Sequence, residues 1–334
     1  MAVDEAWGYG RLREARRVPR RLSAPDPLPY ARLAIPAVFL DREIAPGVAR
    51  AQVTRGAWLR IRRGAYVETA ELDDDVHRRA RQLVLATAVA VDLQTSATAV
   101  FSHATAAAIW GLPLYRLPER THILVSSSRA GDTSRDIARH DVGKPTEGIA
   151  ERRGLVVTTL ERTVVDCART LDARGGLVVA DAALAAGARR DVLETLVAAA
   201  RGGRGVRCAR DVVAAADDGA ESAGESVARW SLIRAGLPAP VTQVPVGTHL
   251  GTFWVDLGWP AWRMAAEYDG VAKYGGATTA IVLAEKRRQD AIEEAGWRVI
   301  RLTAADVRDP IALARRLRAR LPPGALRRTR VLAD

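Results

Sequence analysis

Lysine is almost missing from this chain. Of 50 Lys and Arg residues, only Lys144, Lys273 and Lys286 are lysines. The bias is most simply a codon-composition effect, although two of the three lysines fall in one C-terminal stretch, as a local chemical need for an ammonium would have it. Cysteine is as scarce. Cys167 and Cys208 lie far apart in apolar helical patterns, which excludes a disulfide framework and leads to the expectation of reduced thiols in a cytoplasmic protein. No apolar run is long enough to span a membrane. The Arg-rich leader has no apolar segment behind it, so neither a signal peptide nor a twin-arginine export signal is expected. The five histidines show no metal-ligand spacing, so zinc is not expected.

What is present points to several domains and a polyanionic partner. A chain of 334 residues with 48% hydrophobic content supports two or three packed cores. A net charge of +11 and a pI near 10.5 favour a polyanionic partner, and the charge alone does not separate DNA from RNA. Composition divides the chain into a basic flexible arm (1–29), a small basic domain (30–70), an Ala-rich middle domain (75–200), a Gly- and Arg-containing linker (201–220), a Trp-rich C-terminal domain (221–322) and a loose tail (323–334).

In the first domain, Ala37 to Asp41 and Val48 to Arg55 are expected as helices. GAWLRIRRGAYV follows as a strand, a tight turn at Arg62-Arg63-Gly64, and a returning strand. Helix, turn, helix and basic hairpin is the plan of a winged helix-turn-helix. That plan puts Arg50, Gln52, Thr54 and Arg55 on or near a recognition helix, and Arg60, Arg62 and Arg63 on a wing beside phosphates. A solvated Arg hairpin on a small helical domain is the plainer reading.

The middle domain opens on one long amphipathic helix (Asp74 to Leu93). Ser102 is expected to cap a helix from His103 to Trp110, and Thr158-x-x-Glu161 to form a capping box. Strands are expected at His122 to Ser126 and Ile137 to Val142. Ser102 and His103 are adjacent, but a catalytic pair needs an orienting third group; cap and packing residue are the preferred roles.

The C-terminal domain carries the chemistry. Phe253, Val255 and Leu257 alternate with Trp254 and Asp256 as a strand, and Met264 to Asp269 reads as its antiparallel partner. Such a hairpin brings Asp256 near Glu267 or Asp269, and the latter two share a face. Converging carboxylates stay ionised around a cation, and oxygen-only ligands suit Mg²⁺ or Mn²⁺. Lys273 can add a positive charge beside a phosphate. A helix over Thr278 to Ala295, stopped by Gly296, leads to the strand WRVIRL. Solvated acids on an exposed face are the alternative. Ser222-x-x-Glu225 is a capping box that by itself accounts for Glu225.

The order D-x(12)-DG (Asp256, Asp269-Gly270), then R-x-D (Arg288, Asp290), then GWRVIRL resembles the very-short-patch repair endonucleases within the PD-(D/E)XK, or restriction-endonuclease-like, superfamily. The resemblance implies a C-terminal α/β domain with a mixed central sheet. Asp269 would be the principal metal carboxylate, Asp256 a supporting acid and Glu267 a superfamily-type acid. It also offers Glu225, or Glu221, as a first-helix acid near the metal. Separately, GAWLRIRRGAYV, FSHATAAAIWGLPL and VTTLERTVVDCAR resemble AbiEi-type antitoxins, which implies a DNA-binding winged helix, an α/β domain behind it and a possible cognate toxin. The expected fold is therefore multidomain α+β. The expected function is DNA binding with Mg²⁺-dependent phosphodiester hydrolysis, or else non-enzymatic regulation of antitoxin type on a nuclease-like fold.

Overall fold

Aromatic and β-branched residues around two basic turns build the first sheet. The strands β1 (Phe39–Leu40), β2 (Trp58–Arg62) and β3 (Ala65–Glu68) pair in the order β1-β3-β2. Phe39 stacks on Trp58 with ring centroids 4.8 Å apart. One helix, α1 (Val48–Thr54), precedes the hairpin. The computed structural model describes residues 26–126, 134–142, 147–269, 279–323 and 325. The Arg-rich part of the arm, Lys273 and most of the tail lie outside them. The helix expected over Ala37 to Asp41 is instead β1 followed by a 3-10 turn, Asp41–Glu43. Phe39 and Leu40 pair with Tyr66 and Ala65, so tertiary pairing with the hairpin overrides the local reading. Among the described residues, the first helix of the expected helix-turn-helix is therefore absent at that position.

The chain divides between Asp218 and Gly219 into two units, Pro27–Asp218 and Gly219–Leu332. The hairpin and the middle segment thus form one unit. Helix α2 (Val76–Gln94) is capped by Asp75, whose carboxylate accepts from the His77 and Arg78 amides. Its Ala90 packs with Leu40 and Ala65. A five-stranded mixed sheet follows in the order β6-β5-β4-β8-β7. It is made of β4 (Val100–Phe101), β5 (Thr121–Val125), β6 (Ile137–Asp141), β7 (Ile149–Arg152) and β8 (Leu155–Thr158). The helices of this part are α3 (His103–Trp110), α4 (Leu160–Thr170), α5 (Ala173–Ala185), α6 (Arg190–Ala199) and α7 (Val206–Ala215). Helix α7 buries Val206, Cys208, Ala209, Val212 and Val213, so the segment expected to link domains contributes one helix face to the core. The Thr158–Glu161 capping box does not form. Thr158 Oγ1 meets Thr163 Oγ1 at 2.7 Å, and Glu161 accepts from the Arg189 amide.

The second unit runs helix, three antiparallel strands, helix, strand, helix. These are α8 (Ala223–Arg234), β9 (Val241–Thr248), β10 (Gly251–Trp259), β11 (Met264–Tyr268), α9 (Thr279–Glu294), β12 (Arg298–Leu302) and α10 (Pro310–Leu317). The sheet order is β12-β11-β10-β9, with β11 and β12 parallel and the other pairs antiparallel. A mixed sheet of this kind needs the crossover helix α9 between its parallel strands, and Ile292 of α9 packs with Val255 and Ala265. Gly296, at φ +83°, ends α9 as expected. Gly224 lets α8 approach the sheet closely, because a Cβ there would stand 2.2 Å from the Tyr268 ring. Gly224→Ala is expected to lower stability by about 1–3 kcal/mol and to displace Tyr268. Chemical denaturation and the near-ultraviolet circular dichroism of the variant check both.

Candidate functional site

The Ser222 cap of α8 forms, and the Glu225 carboxylate returns to the Glu221 amide, one residue before the N-cap, in place of the Ser222 amide of the usual capping box. Ser222 Oγ accepts from the Glu225 amide at 3.1 Å and donates to Glu225 Oε1 at 2.9 Å, while the Glu221 amide donates to Oε2 at 2.9 Å. Gln243 Nε2 adds a contact to Oε2 at 3.4 Å. Gln243 itself has φ +48°, in the left-handed region that non-glycine residues rarely adopt. Glu225 is buried, and its pKa is raised to about 7, first by that burial and then by the charge of Asp256.

Antiparallel pairing of β10 and β11 runs from Trp259–Met264 to Leu257–Ala266 and ends one residue short of Asp256 and Glu267. Asp256 Oδ2 accepts from the Tyr268 amide at 3.0 Å, a side chain standing in for a strand carbonyl. Parallel pairing of β11 and β12 matches Glu267 with Arg301. Glu267 is 3% exposed. Arg301 Nη2 lies 3.4 Å from its Oε2, and Arg288 Nη2 lies 2.7 Å from its Oε1. The Arg288 contact is an ion pair without hydrogen-bond geometry: Oε1 accepts no hydrogen bond, and Nη2 donates to the Trp254 carbonyl at 2.8 Å. Arg301 also pairs with Asp269 Oδ1 at 3.0 Å and Glu285 Oε1 at 2.6 Å. Burial opposes ionisation of Arg301, but the hydrogen bond to Glu285 and the charges of Glu267 and Asp269 outweigh it and raise its pKa.

The structure therefore brings Glu225, Asp256, Glu267, Asp269 and Glu285 into one network with Arg288 and Arg301. It does not gather Asp256, Glu267 and Asp269 as three oxygens around a point. Among the described residues, the group of three or more ligand atoms lying within 4.8 Å of one another consists of His103, His122 and His140. Those histidines are separated by 19 and 18 positions, and nothing in that spacing marks them as partners. Sequence order marked Arg288 through R-x-D, whereas Arg301 was legible only as a strand position.

On the hairpin of the first unit, Arg50, Arg55, Arg60 and Arg63 are exposed and Gln52 is half-buried. Arg62 points elsewhere: its Nε donates to Asp136 Oδ2 at 2.9 Å, and its side chain is 11% exposed. It ties the turn to the start of β6 instead of facing solvent. Thr54 bonds back to the Arg50 carbonyl within α1. Ser102 stands at the N-cap of α3 without capping it, because its hydroxyl meets His103 Nδ1 at 2.9 Å. Burial, then His140 and His122, lower the His103 pKa to about 2; burial, then His140, lower His122 to about 4.

These features define a two-unit mixed α/β protein with a basic hairpin and a carboxylate–guanidinium network on a mixed four-stranded sheet. No helix among the described residues is long and apolar enough to cross a membrane. No family model matches the chain. It is 34% identical over 272 residues to uncharacterized protein MT2308 of Mycobacterium tuberculosis strain CDC 1551 / Oshkosh, covering 80% of this chain and 93% of that one. Uncharacterized protein Rv2248 of strain ATCC 25618 / H37Rv matches at the same level. The chain belongs to the family of these mycobacterial proteins. Among solved structures, the RV2827C protein of M. tuberculosis matches at 16% identity and a TM-score of 0.33, over 63% of this chain and 76% of that one.

The raised pKa of Glu225 has a stability consequence. Its folded pKa, about 7, lies above the ordinary 4.5. The folded state therefore holds the extra proton between these values, and stability falls as pH rises from 4.5 through 7. In Glu225→Gln this slope is expected to flatten, giving a relative gain on the order of 2 kcal/mol at pH 8 compared with pH 5. Urea unfolding of both proteins across that range measures it.

Proposed function

We propose that the chain is a DNA-binding protein whose C-terminal unit is a Mg²⁺-dependent phosphodiester hydrolase of restriction-endonuclease-like fold. The observation that carries this reading is the Glu225–Asp256 pair: two carboxylates close enough that one raises the pKa of the other, where α8 meets the β10–β11 hairpin. Mutual repulsion of acids is what a bound cation relieves. The element order α8, β9 to β11, α9, β12 supports the fold assignment.

An oxygen-ligated divalent ion would be held by Glu225 and Asp256, with water in the remaining positions; Glu267 faces Arg288 and Arg301 and would join only by exchanging an arginine for the ion. Such an ion supplies Lewis acidity toward a phosphoryl oxygen and lowers the pKa of a bound water. Asp269, expected as the principal ligand, is committed to Arg301, and in this reading it aligns that guanidinium. Arg288, joined to Glu267 and Glu285, is the described cation best placed to face a phosphate in the manner imagined for Lys273, which lies outside the described residues. In the first unit, Arg50, Arg55, Arg60 and Arg63 meet the phosphate backbone as in the wing plan, with Gln52 beside them. Arg62 holds the hairpin in place.

Pairing of Glu267 and Asp269 with arginines favours a second reading. There the same fold binds DNA without cutting it, as a regulator of antitoxin type with a possible toxin partner.

A plasmid cleavage assay with Mg²⁺ or Mn²⁺ separates the two. The hydrolase reading expects nicking or cutting that falls by on the order of a hundredfold or more in Asp256→Asn, with duplex binding retained. Binding by the wild-type chain with no cleavage under either metal supports the regulator. Arg60→Ala and Arg63→Ala should each weaken duplex binding at every sequence tested and reduce the salt-dependence slope by about 1. Arg62→Ala should instead lower the melting temperature, because its partner is Asp136. Fluorescence anisotropy titrations at several salt concentrations, with melting curves alongside, check these effects.

A further inference from the structure

Three imidazoles meet in the first unit, on residues that the proposed function does not use. His103 is the first residue of α3, His122 lies on β5 and His140 on β6. Topology makes this meeting. The parallel pairing of β5 and β6 sets His122 opposite Ala138, so His140, two residues further on, shares its face. The strand β4 runs antiparallel to β5 and turns into α3 just beyond Phe101, which pairs with Ile123. The Ser102 amide then donates to the His122 carbonyl at 3.0 Å, and the His122 amide donates to Thr105 Oγ1 at 2.9 Å. These bonds lock the start of α3 against β5.

The rings sit closely. His103 and His140 have centroids 3.6 Å apart, and His122 Nδ1 is 3.0 Å from His140 Nε2. One ligand nitrogen from each ring lies within 4.8 Å of the others. His103 is nearly buried, while His122 and His140 are half-buried, which leaves a path for a small ion. His103 has φ +53°, a conformation that costs on the order of 1 kcal/mol outside glycine and that turns its ring toward the other two. Ser102 Oγ engages His103 Nδ1, which leaves Nε2 for another partner. A hydroxyl or carbonyl on the far nitrogen is how metal-bound histidines are oriented.

We propose that His103, His122 and His140 form a binding site for a divalent d-block cation of the Zn²⁺ class, with the remaining coordination positions left to water. A tetrahedral Zn²⁺ with bonds of 2.0–2.1 Å sets its ligand nitrogens about 3.3 Å apart. The His122–His140 separation needs to open by only a few tenths of an ångström, while His103 and His140, stacked at an interplanar angle of 17°, must rotate about their side-chain bonds to aim a nitrogen each at one ion. Three neutral imidazoles discriminate strongly against Mg²⁺, which prefers oxygen, so this site is chemically distinct from the acidic network of the other unit. Arg120, Arg162 and Arg169 stand near enough to act on these rings. Their charge opposes a cation, so binding is expected to be strongest for Cu²⁺ and Zn²⁺ and weak for Mn²⁺.

The test uses the full chain stripped with a chelator and titrated with Zn²⁺ by calorimetry in the presence of excess Mg²⁺, then with Co²⁺ by visible absorption. The expected result is one equivalent of Zn²⁺, unaffected by Mg²⁺. His122→Ala and His140→Ala should each weaken binding by at least about 10–100-fold, the loss typical of even an outer-shell partner, and Ser102→Ala should weaken it by a smaller factor. The exposed His77→Ala and His249→Ala variants should bind as the wild type does. If the His variants fail to fold, X-ray absorption of the Co²⁺-loaded wild type reads the coordination directly, with imidazole scattering expected. No stoichiometric binding, undiminished binding in the His122→Ala/His140→Ala double variant, loss in His77→Ala or His249→Ala, or an oxygen-only coordination shell overturns the proposal. The outcome does not depend on nuclease activity.

Discussion

Glu267 is a carboxylate taken almost entirely out of water, and the second unit is arranged around keeping it charged. Removing such a group from solvent costs several kcal/mol unless ion pairs and hydrogen bonds replace the lost hydration. Both compensating charges arrive later in the chain. Arg288 comes from α9, and Arg301 comes from β12, where parallel pairing sets it directly opposite Glu267. A one-residue slip of β12 would turn Arg301 to the other face and leave the carboxylate with one partner. The charge thus enforces the register of the parallel pair, and α9 must cross at the height that brings Arg288 within reach. Hydrophobic packing of Ile292 on Val255 and Ala265 supplies the driving force, and the ion pairs select the alignment.

The near-absence of lysine acquires a structural meaning at these two positions. Arg301 meets Glu267, Asp269 and Glu285 and also donates to Gln289 Oε1 at 3.3 Å. Only the five donors of a planar guanidinium serve that many acceptors at once. Its Nη1 reaches Asp269 while Nη2 faces Glu267, Glu285 and Gln289, a spread that the single nitrogen of an ammonium does not have. Whatever codon composition does to the chain at large, Arg is the residue that this network requires. The same pairings distribute the acids: Asp269 is drawn to Arg301, while the charge of Asp256 acts on Glu225 at the start of α8.

The sequence showed its local patterns well and its long-range pairings poorly. Alternation from Phe253 to Leu257, the apolar run before Asp269, the Gly296 stop and the Ser222–Glu225 capping box each correspond to an element or contact in the structure. All of these are written within a few residues of one another. Arg301 carries no such mark, and Arg288 is marked only by the R-x-D order and not by any partner, since an arginine on a helix edge or a strand reads as solvated until the partner strand is known. The histidine cluster was missed for the same reason. Spacings of 19 and 18 residues become a contact only through the parallel pairing of β5 and β6. The expected helix at Ala37 to Asp41 failed in the opposite direction: a short segment with weak preference was claimed by the edge of the hairpin sheet. Thr158 and Ser102 also look like caps. Each spends its hydroxyl elsewhere, on Thr163 and on His103.

Glu225 shows why the structural and chemical roles of one side chain need not compete. As the third residue of α8 it completes the Ser222 cap, and the cap fixes its carboxylate in one place through the Glu221 amide and the Ser222 hydroxyl. A cap at a water-exposed helix end would hold a carboxylate in its ordinary ionised state. Here burial and the charge of Asp256 push the other way, and the donors only partly offset them. A carboxylate that is rigidly held, partly compensated and faced by a second acid keeps its raised pKa in a way that a flexible surface glutamate would not. In the hydrolase reading proposed above, capping would supply the preorganisation and the neighbouring acid the need for positive charge. Where a local rule is satisfied and its electrostatic cost is left standing, function is the expected reason.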